Sequence, residues 1–266
     1  MNAQTETLQM RVYATAAEPT LIYLPGIHGD WTLVGSFRAA VARRARFVEF
    51  TYPRTLTWSV ADYADAIESA LRDGGIRTGW LIGESFGSLI AWELLRPERR
   101  AQSSFFEPLG LILAGGFVRH PLPFGARLLR RLGEALPMKP YRALLAGYAV
   151  FARFRHRHAP ETLANLEEFV ARRTAQDRAA MRARLELVAQ ADFRPVARRT
   201  TLPVFYLAGL IDPLVPWPWV RRWLQRNCPG YQGGKTFWLA DHNVLSTASR
   251  AAAEQTFRWL AAVSTS

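Results

Sequence analysis

Residues 80–88 read WLIGESFGS, a short apolar run that passes through a G-x-S-x-G motif into a helical pattern over residues 88–95. At a strand-to-helix turn, this motif holds its serine above the sheet, where a base and a substrate can reach it. Large side chains at Gly83 and Gly87 would clash in so tight a turn. The motif alone matches by chance too often to identify a nucleophile. Its setting between a strand and a helix predicts that Ser85 is one.

Short apolar runs bounded by glycine or proline recur along the chain and predict strands buried on both faces. They are Leu21–Leu24, Phe47–Phe50, Trp80–Ile82, Leu109–Leu113, Val204–Leu207 and Thr236–Leu239. Helical patterns lie between them, at Ser59–Leu71, Trp217–Arg226 and Ala248–Ala262. Strands that alternate with helices predict an α/β fold, a mostly parallel central sheet with helices on both faces. Residues 7–14 are expected to add one antiparallel strand at the edge.

Residues 119–200 break this alternation, because they contain helical stripes punctuated by prolines and no strand pattern. We predict that they form an all-helical cap inserted between two strands of the sheet. Residues 1–118 and 201–266 would then form the core. The four apolar stripes of the predicted cap begin at Leu128, Leu144, Leu163 and Met181.

The basic charge of the chain is concentrated in this predicted cap. The chain has a formal net charge of +12, and residues 119–200 hold 16 arginines, one lysine and seven acidic residues, a net of +10. Such a surface attracts acidic partners, so we expect an acidic carrier protein or an acyl-CoA to dock there. A solvated arginine face and contact with an anionic membrane are the alternatives. The candidate residues are Arg127, Arg130, Arg131, Arg153, Arg155, Arg157, Arg172 and Arg173.

Other features of the sequence narrow the class of protein. A single cysteine, Cys228, excludes a disulfide framework. The first ten residues lack the basic start and apolar block of a signal peptide, and no apolar run reaches the roughly 18 residues that span a bilayer, so a cytoplasmic protein is expected. The sequence has no phosphate-binding glycine loop, zinc-type cluster or RNA-binding signature, which argues against a nucleic-acid partner.

A serine nucleophile needs a base that takes its proton. His242 directly follows the last apolar run, so a loop there would place it at the carboxyl edge of the sheet beside Ser85. We therefore interpret His242 as the base. The histidines expected to be structural or solvated are His120, His156 and His158.

The base in turn needs a carboxylate that orients it. Asp212 lies just past the predicted strand Val204–Leu207, which gives the chain order serine, aspartate, histidine. Asp241 is the rival because it neighbours His242. Adjacent side chains rarely form the required hydrogen bond, so the sequence favours Asp212.

The third requirement is a pair of backbone N–H groups for the developing oxyanion. Phe86, which follows the nucleophile, is expected to supply one. The other should come from residues 24–30, LPGIHGD, where glycines let the backbone approach the substrate. Ile27 is the best donor by position, and His28 either contacts the substrate or only packs.

Four motifs in this order, residues 25–29, residues 83–87, Asp212 and His242, resemble the α/β-hydrolase superfamily over nearly the whole chain. The oxyanion loop begins with PG instead of the HG common in that family, which leaves the backbone role intact. The resemblance implies the α/β-hydrolase fold with a helical cap. It also implies a carboxylesterase or thioesterase that works through an acyl-enzyme on a small-molecule or carrier-linked acyl substrate, with no cofactor or metal.

The superfamily contains other chemistries. Its dehalogenases and epoxide hydrolases use an aspartate where this chain has Ser85, which argues against both. A C–C bond hydrolase with the same three residues remains open. A non-catalytic binding protein on the hydrolase scaffold also remains open, because fold does not imply function.

Overall fold

The structure is a computed structural model that describes residues 7–14, 19–102, 105–122 and 174–264, with residue 147 and residues 163–164. The described strands form one seven-stranded sheet. They are β1 (Gln9–Ala14), β2 (Thr20–Leu24), β3 (Arg46–Thr51), β4 (Thr78–Glu84), β5 (Glu107–Ala114), β6 (Val204–Gly209) and β7 (Tyr231–Phe237).

Helices connect these strands. In the described ranges they are α1 (Gly35–Val41), α2 (Val60–Asp73), α3 (Gly87–Leu94), α4 (Pro97–Gln102), α5 (Ala175–Gln190), α6 (Arg194–Arg199), α7 (Trp217–Asn227), α8 (Val244–Thr247) and α9 (Ser249–Ser264). Ser59 begins α2 as a capping box, in which its hydroxyl accepts the Asp62 N–H and the Asp62 carboxylate accepts the Ser59 N–H. None of these helices combines the length and the apolarity needed to cross a bilayer.

The sheet has the order β1-β3-β2-β4-β5-β6-β7, with β1 antiparallel to β3 and all other pairs parallel. This confirms the predicted α/β class and the antiparallel strand at the edge. β3 lies on one side of β2, toward one edge of the sheet. β4 lies on the other side of β2, and β5, β6 and β7 follow it toward the opposite edge. The carboxyl ends of β2 and β4 therefore lie side by side where the strand order reverses, the position at which such sheets place their sites.

Side chains of the central strands alternate between two cores. Ile22 and Leu24 of β2 pack on the face covered by α2, α3 and α7, while Leu21 and Tyr23 pack on the face covered by α1 and α9. All four are fully buried. A strand with helices on both faces must be apolar at every position, which is why the central strands were visible in the sequence as continuous apolar runs.

The predicted strand at Thr236–Leu239 is wrong in its position. β7 runs from Tyr231 to Phe237, and the next two residues lie in a turn, where Trp238 is 79% and Leu239 is 78% exposed. β7 is the edge strand, and its polar residues and two glycines form no apolar run. The apolar pattern therefore marks only the last two residues of β7 and the turn that follows it.

The predicted cap falls largely outside the described residues, as do its eight candidate arginines and nearly all of its first three stripes. The fourth stripe lies on α5, where Val188 is buried and Met181 and Leu185 are half-buried. After α5, Phe193 and Val196 pack into the same core as α3. The division of the chain into a core and a separate cap stays a prediction.

Candidate active site

Ser85 occupies the turn between β4 and α3 and has a φ of 49°, the only positive φ of a non-glycine residue in the described ranges. This left-handed conformation is unfavourable for a residue with a Cβ and persists only where the surroundings impose it. The Ser85 N–H donates to the Ala114 carbonyl at 3.1 Å, which ties the turn to the end of β5. The structure thus gives Ser85 the strained strand-to-helix turn that its motif predicts.

The two glycines of the motif are required by close packing. A Cβ on Gly87 would lie 2.0 Å from the Leu24 carbonyl oxygen, and a Cβ on Gly83 would lie 2.7 Å from the Ser88 Cα. Both obstacles are backbone atoms, which cannot rotate away. The Ser88 hydroxyl, 2.6 Å from the Ser85 carbonyl oxygen, fixes the turn from the helix side. This confirms the clash predicted for positions 83 and 87.

His242 and Asp212 are joined by a hydrogen bond of 2.8 Å between the His242 Nδ1 and the Asp212 Oδ2. The Asp212 side chain is fully buried, and its Oδ1 accepts the N–H groups of Leu214 at 2.8 Å and Val215 at 2.9 Å. These bonds fix the carboxylate, which in turn orients the imidazole.

Asp241, the rival carboxylate, has different partners. Its Oδ1 accepts the Asn243 N–H at 2.9 Å and lies 3.4 Å from the Thr247 hydroxyl. These contacts stabilise the turn that leads into α8. The structure therefore brings Asp212, and not Asp241, into hydrogen-bonding contact with the His242 ring.

Gly115, the residue after β5, lies beside the His242 ring. A Cβ on Gly115 would lie 3.3 Å from the His242 Nδ1 and 3.0 Å from the His242 carbonyl oxygen, and this glycine has a φ of 57°. The preceding residue, Ala114, accepts the Ser85 N–H. The end of β5 thus contacts the Ser85 turn directly and leaves room, through a glycine, for the His242 ring.

Buried charges set the pKa of His242. Burial lowers it, but the hydrogen bond and the negative charge of Asp212, assisted by Glu84 and Asp241, raise the pKa of His242 above its ordinary value. A raised pKa makes the imidazole a stronger base, and it must be neutral to accept a proton.

Glu84, the residue before the serine, is a buried carboxylic acid. It is 2% exposed and accepts a hydrogen bond from the Tyr23 hydroxyl, which is itself fully buried. Burial is the main cause that raises the pKa of Glu84 to about 7, while the Tyr23 hydrogen bond and the charge of His242 lower it by less. In the sequence this residue is only the variable position of the motif, and no local pattern predicts that its carboxyl group is buried.

His120 lies near the same pair. Burial is the main cause that lowers the pKa of His120. The charge of His242 lowers this pKa further, and the charge of Asp212 raises it. Its Nδ1 accepts the Leu122 N–H at 3.2 Å, and its ring packs against Phe117 with centroids 5.0 Å apart. Position in the sequence indicated a structural histidine, but gave no sign that it lies within the electrostatic reach of the His242–Asp212 pair.

The loop after β2 lies against the serine. A Cβ on Gly26 would be 3.5 Å from the Ser85 Cβ, and the Gly29 N–H donates to the Gly26 carbonyl at 2.9 Å, which closes a tight turn around Ile27. Tyr52 holds both ends of the turn, since its hydroxyl donates to the Pro25 carbonyl at 3.3 Å and its N–H donates to the Gly29 carbonyl at 2.7 Å.

Arg184 of α5 holds the same turn from the other side. Its Nη1 donates to the Ile27 carbonyl at 2.9 Å and its Nη2 donates to the Pro53 carbonyl at 3.0 Å, while the side chain is 2% exposed. A Cβ on Gly29, which has a φ of 78°, would lie 2.3 Å from the Arg184 Nη1. The space that a side chain at position 29 would fill is therefore occupied by a guanidinium group.

Phe86, the second predicted oxyanion donor, follows Ser85 at the start of α3. Its ring is fully buried and packs edge-on against Tyr63 and Tyr52, with centroids 5.5 Å and 6.2 Å away. The Phe86 backbone and the Ile27 turn thus flank Ser85 from α3 and from the loop after β2.

Comparison with known proteins gives the family. Residues 22–255 match the model of the Alpha/beta hydrolase family, so this chain belongs to that family. No curated protein matches the chain in sequence.

Solved structures share the fold. An esterase from Thermogutta terrifontis aligns with a TM-score of 0.73 and 18% identity over 96% of this chain and 93% of its own. The enol-lactonase from Burkholderia xenovorans LB400 aligns with a TM-score of 0.74 and 16% identity over 96% of both chains. A putative non-heme bromoperoxidase from Mycobacterium tuberculosis aligns with a TM-score of 0.71 and 14% identity over 99% of this chain and 98% of its own. At these identities the likeness concerns the fold.

The raised pKa of Glu84 predicts a pH-dependent stability. The pKa of this carboxyl group is about 7 in the folded protein and 4.5 in the unfolded chain. Its contribution to the free energy of unfolding is therefore fully present below about pH 4.5 and is lost as the pH rises through 7. The loss amounts to about 3 kcal/mol. Glu84→Gln should remove this pH dependence. The free energy of unfolding of the variant, measured by urea unfolding, should therefore rise relative to that of the wild type by about 3 kcal/mol between about pH 5 and about pH 8.5.

The matched control is Glu98→Gln, because the Glu98 carboxylate is exposed and its pKa is lowered, mainly by backbone and Arg199 hydrogen bonds. Its difference from the wild type should stay constant over the same pH range. A Glu84→Gln variant that also differs by a constant amount would show that the carboxyl group is not perturbed in the folded protein.

Proposed function

We propose that this protein is a serine hydrolase that cleaves a carboxylic ester or a thioester through an acyl-enzyme. Ser85 is the nucleophile, His242 the base and Asp212 the carboxylate that orients the base. The observation that carries the proposal is the 2.8 Å hydrogen bond between His242 and the buried Asp212, at the same sheet edge as a serine with a φ of 49°.

The reaction would proceed in two halves. His242 takes the proton of the Ser85 hydroxyl as its oxygen attacks the acyl carbonyl carbon, and then gives that proton to the departing alcohol or thiol. Water attacks the acyl-enzyme in the second half, with His242 again as the base, and releases the carboxylic acid and free Ser85. The backbone N–H groups of Ile27 and Phe86 would stabilise the oxyanion of both tetrahedral intermediates.

The family and two of the structural neighbours support acyl transfer. The neighbours include an esterase and an enol-lactonase, whose names both describe hydrolysis of an ester bond. The net charge of +10 over residues 119–200 supports an acyl group linked to an acidic carrier. A panel of esters and thioesters of varied acyl length, free and carrier-linked, assigns the bond and the acyl group.

The nucleophile can be tested by covalent labelling. A fluorophosphonate probe should label the wild type at Ser85 within one tryptic peptide, and Ser85→Ala should abolish both labelling and turnover, because the alkoxide attack is lost. Ser69→Ala, at an exposed serine of α2, is the control and should label like the wild type. Labelling of Ser85→Ala at the wild-type rate would reject Ser85 as the nucleophile.

The two aspartates near His242 should differ sharply in their effect on turnover. Asp212→Asn should lower kcat by about 10³- to 10⁴-fold, because an amide stabilises the wrong imidazole tautomer and no longer stabilises the imidazolium. Asp241→Asn should keep kcat within about tenfold, because Asp241 contacts the ring only through its charge. The measurement is steady-state kinetics on an activated ester, and the reverse order of effects would assign the orienting role to Asp241.

Arg184 has a positioning role in this mechanism. Its guanidinium fixes the Ile27 carbonyl, and the Gly26–Gly29 turn fixes the preceding peptide, which carries the Ile27 N–H. An oxyanion donor must be held rigidly, because its benefit arises from preorganisation. Removal of the guanidinium releases the Ile27 peptide on one side and the Pro53 carbonyl on the other.

Substitution of Arg184 should therefore affect the transition state more than substrate binding. Arg184→Met should lower kcat by about 10- to 100-fold with KM changed by less than about threefold, and it should weaken binding of a trifluoromethyl ketone, an oxyanion mimic, in the same proportion. Arg182→Met on the same helix is the control. A merely structural role would lower the melting temperature and leave the kcat of the folded enzyme and the inhibitor affinity unchanged.

A further inference from the structure

A group of large apolar side chains is exposed where β6, β7 and α7 meet. Trp238 and Leu239 are 79% and 78% exposed, and Trp219 is 61% exposed. We call this group the tryptophan corner. It consists of Leu210, Ile211, Leu214, Trp219, Trp238 and Leu239. Single exposed apolar residues are ordinary, but a contiguous exposed apolar patch is typical of a site that binds a protein, a membrane or a ligand.

Backbone hydrogen bonds join the two turns that carry most of the tryptophan corner. The Leu210 N–H donates to the Phe237 carbonyl at 2.9 Å, and the Ile211 N–H donates to the Ala240 carbonyl at 3.1 Å. The residues after β6 therefore lie directly beside Trp238 and Leu239. The Arg221 Nη1 donates to the Thr236 hydroxyl at 3.2 Å, which holds α7 against the end of β7.

The segment that carries most of the tryptophan corner is strongly basic. Residues 213–240 contain Arg221, Arg222, Arg226 and Lys235 and no aspartate or glutamate. Arg222, Arg226 and Lys235 are exposed, and the Arg221 guanidinium carbon lies 5.8 Å from the centroid of the Trp217 ring. The exposed apolar side chains, two tryptophans among them, thus share this stretch of the chain with charges of one sign.

Charge decides between the candidate occupants. A second copy of this chain would bring four positive charges against four, which opposes association. An anionic lipid surface meets both features at once, because tryptophan is favoured at the membrane–water interface and arginines bind the phosphates of lipid headgroups. We propose that the tryptophan corner docks this protein onto an anionic phospholipid surface. The proposal does not depend on the hydrolytic activity proposed above.

Co-sedimentation with vesicles tests the proposal. The full-length protein should bind vesicles of phosphatidylcholine with about 30% phosphatidylglycerol at least tenfold more tightly than vesicles of phosphatidylcholine alone, and the affinity should fall as salt is raised from about 0.1 to about 0.5 M, because exposed charges are screened. Binding of equal strength to both vesicles, or to neither, would overturn the proposal.

Two pairs of variants separate the apolar and the charged parts. Trp238→Ser with Leu239→Ser, and separately Arg222→Glu with Arg226→Glu, should each weaken binding to the anionic vesicles by at least tenfold. The controls are Leu56→Ser, at a residue 62% exposed elsewhere, and Arg43→Glu with Arg100→Glu, which reverse two exposed arginines of other surfaces. Both controls should bind like the wild type.

Folding and self-association complete the test. All these positions are exposed, so the melting temperatures should stay close to that of the wild type, and only variants that meet this condition are compared. Sedimentation velocity should give a monomer. A dimer that Trp238→Ser with Leu239→Ser dissociates would assign the tryptophan corner to self-association. Vesicle binding that Arg43→Glu with Arg100→Glu weakens as much as Arg222→Glu with Arg226→Glu would assign the binding to charge in general. Either result would overturn the proposal.

Discussion

The candidate active site depends on the close approach of the β4–α3 turn to the end of β2. Gly87 lies so near the Leu24 carbonyl that a single added carbon would be 2.0 Å from it. This contact forces the turn into the conformation that gives Ser85 its φ of 49° and lifts the side chain over the sheet. The loop after β2 is held beside it for the same reason, since it begins at the strand end that Gly87 contacts.

Burial of polar groups around this turn has electrostatic consequences. Asp212 is fully buried but accepts three hydrogen bonds, so its oxygens are satisfied, and it raises the pKa of His242 despite the burial of the ring. Glu84 receives one hydrogen bond from Tyr23 and has a pKa of about 7. Two buried carboxyl groups in the same region thus differ in the number of hydrogen bonds that they accept.

Arg184 and the tryptophan corner show how the rest of the molecule relates to the site. Arg184 connects α5 to the Ile27 turn through a buried guanidinium, so a helix from the long connection between β5 and β6 helps to shape the region around Ser85. Part of the tryptophan corner lies on the loop that also carries Asp212, because Ile211 and Leu214 flank that residue. Adjacent positions of the chain here include a buried carboxylate and exposed apolar side chains.

The sequence by itself determined the α/β class, the buried central strands and the placement of Ser85 in its turn, because apolar periodicity and glycine spacing are local properties of the chain. It also favoured Asp212 and His242, since the carboxyl ends of parallel strands meet at one edge of a sheet. Tertiary structure decided what depends on contacts between distant residues. Arg184 contacts Gly29 from 155 positions away in the sequence. The pKa of Glu84 is raised because the fold buries its carboxyl group. Trp238 and Leu239 resemble a buried strand in the sequence but lie exposed beyond the edge strand. Local pattern gives the apolarity of a segment, whereas burial depends on which neighbours the fold supplies.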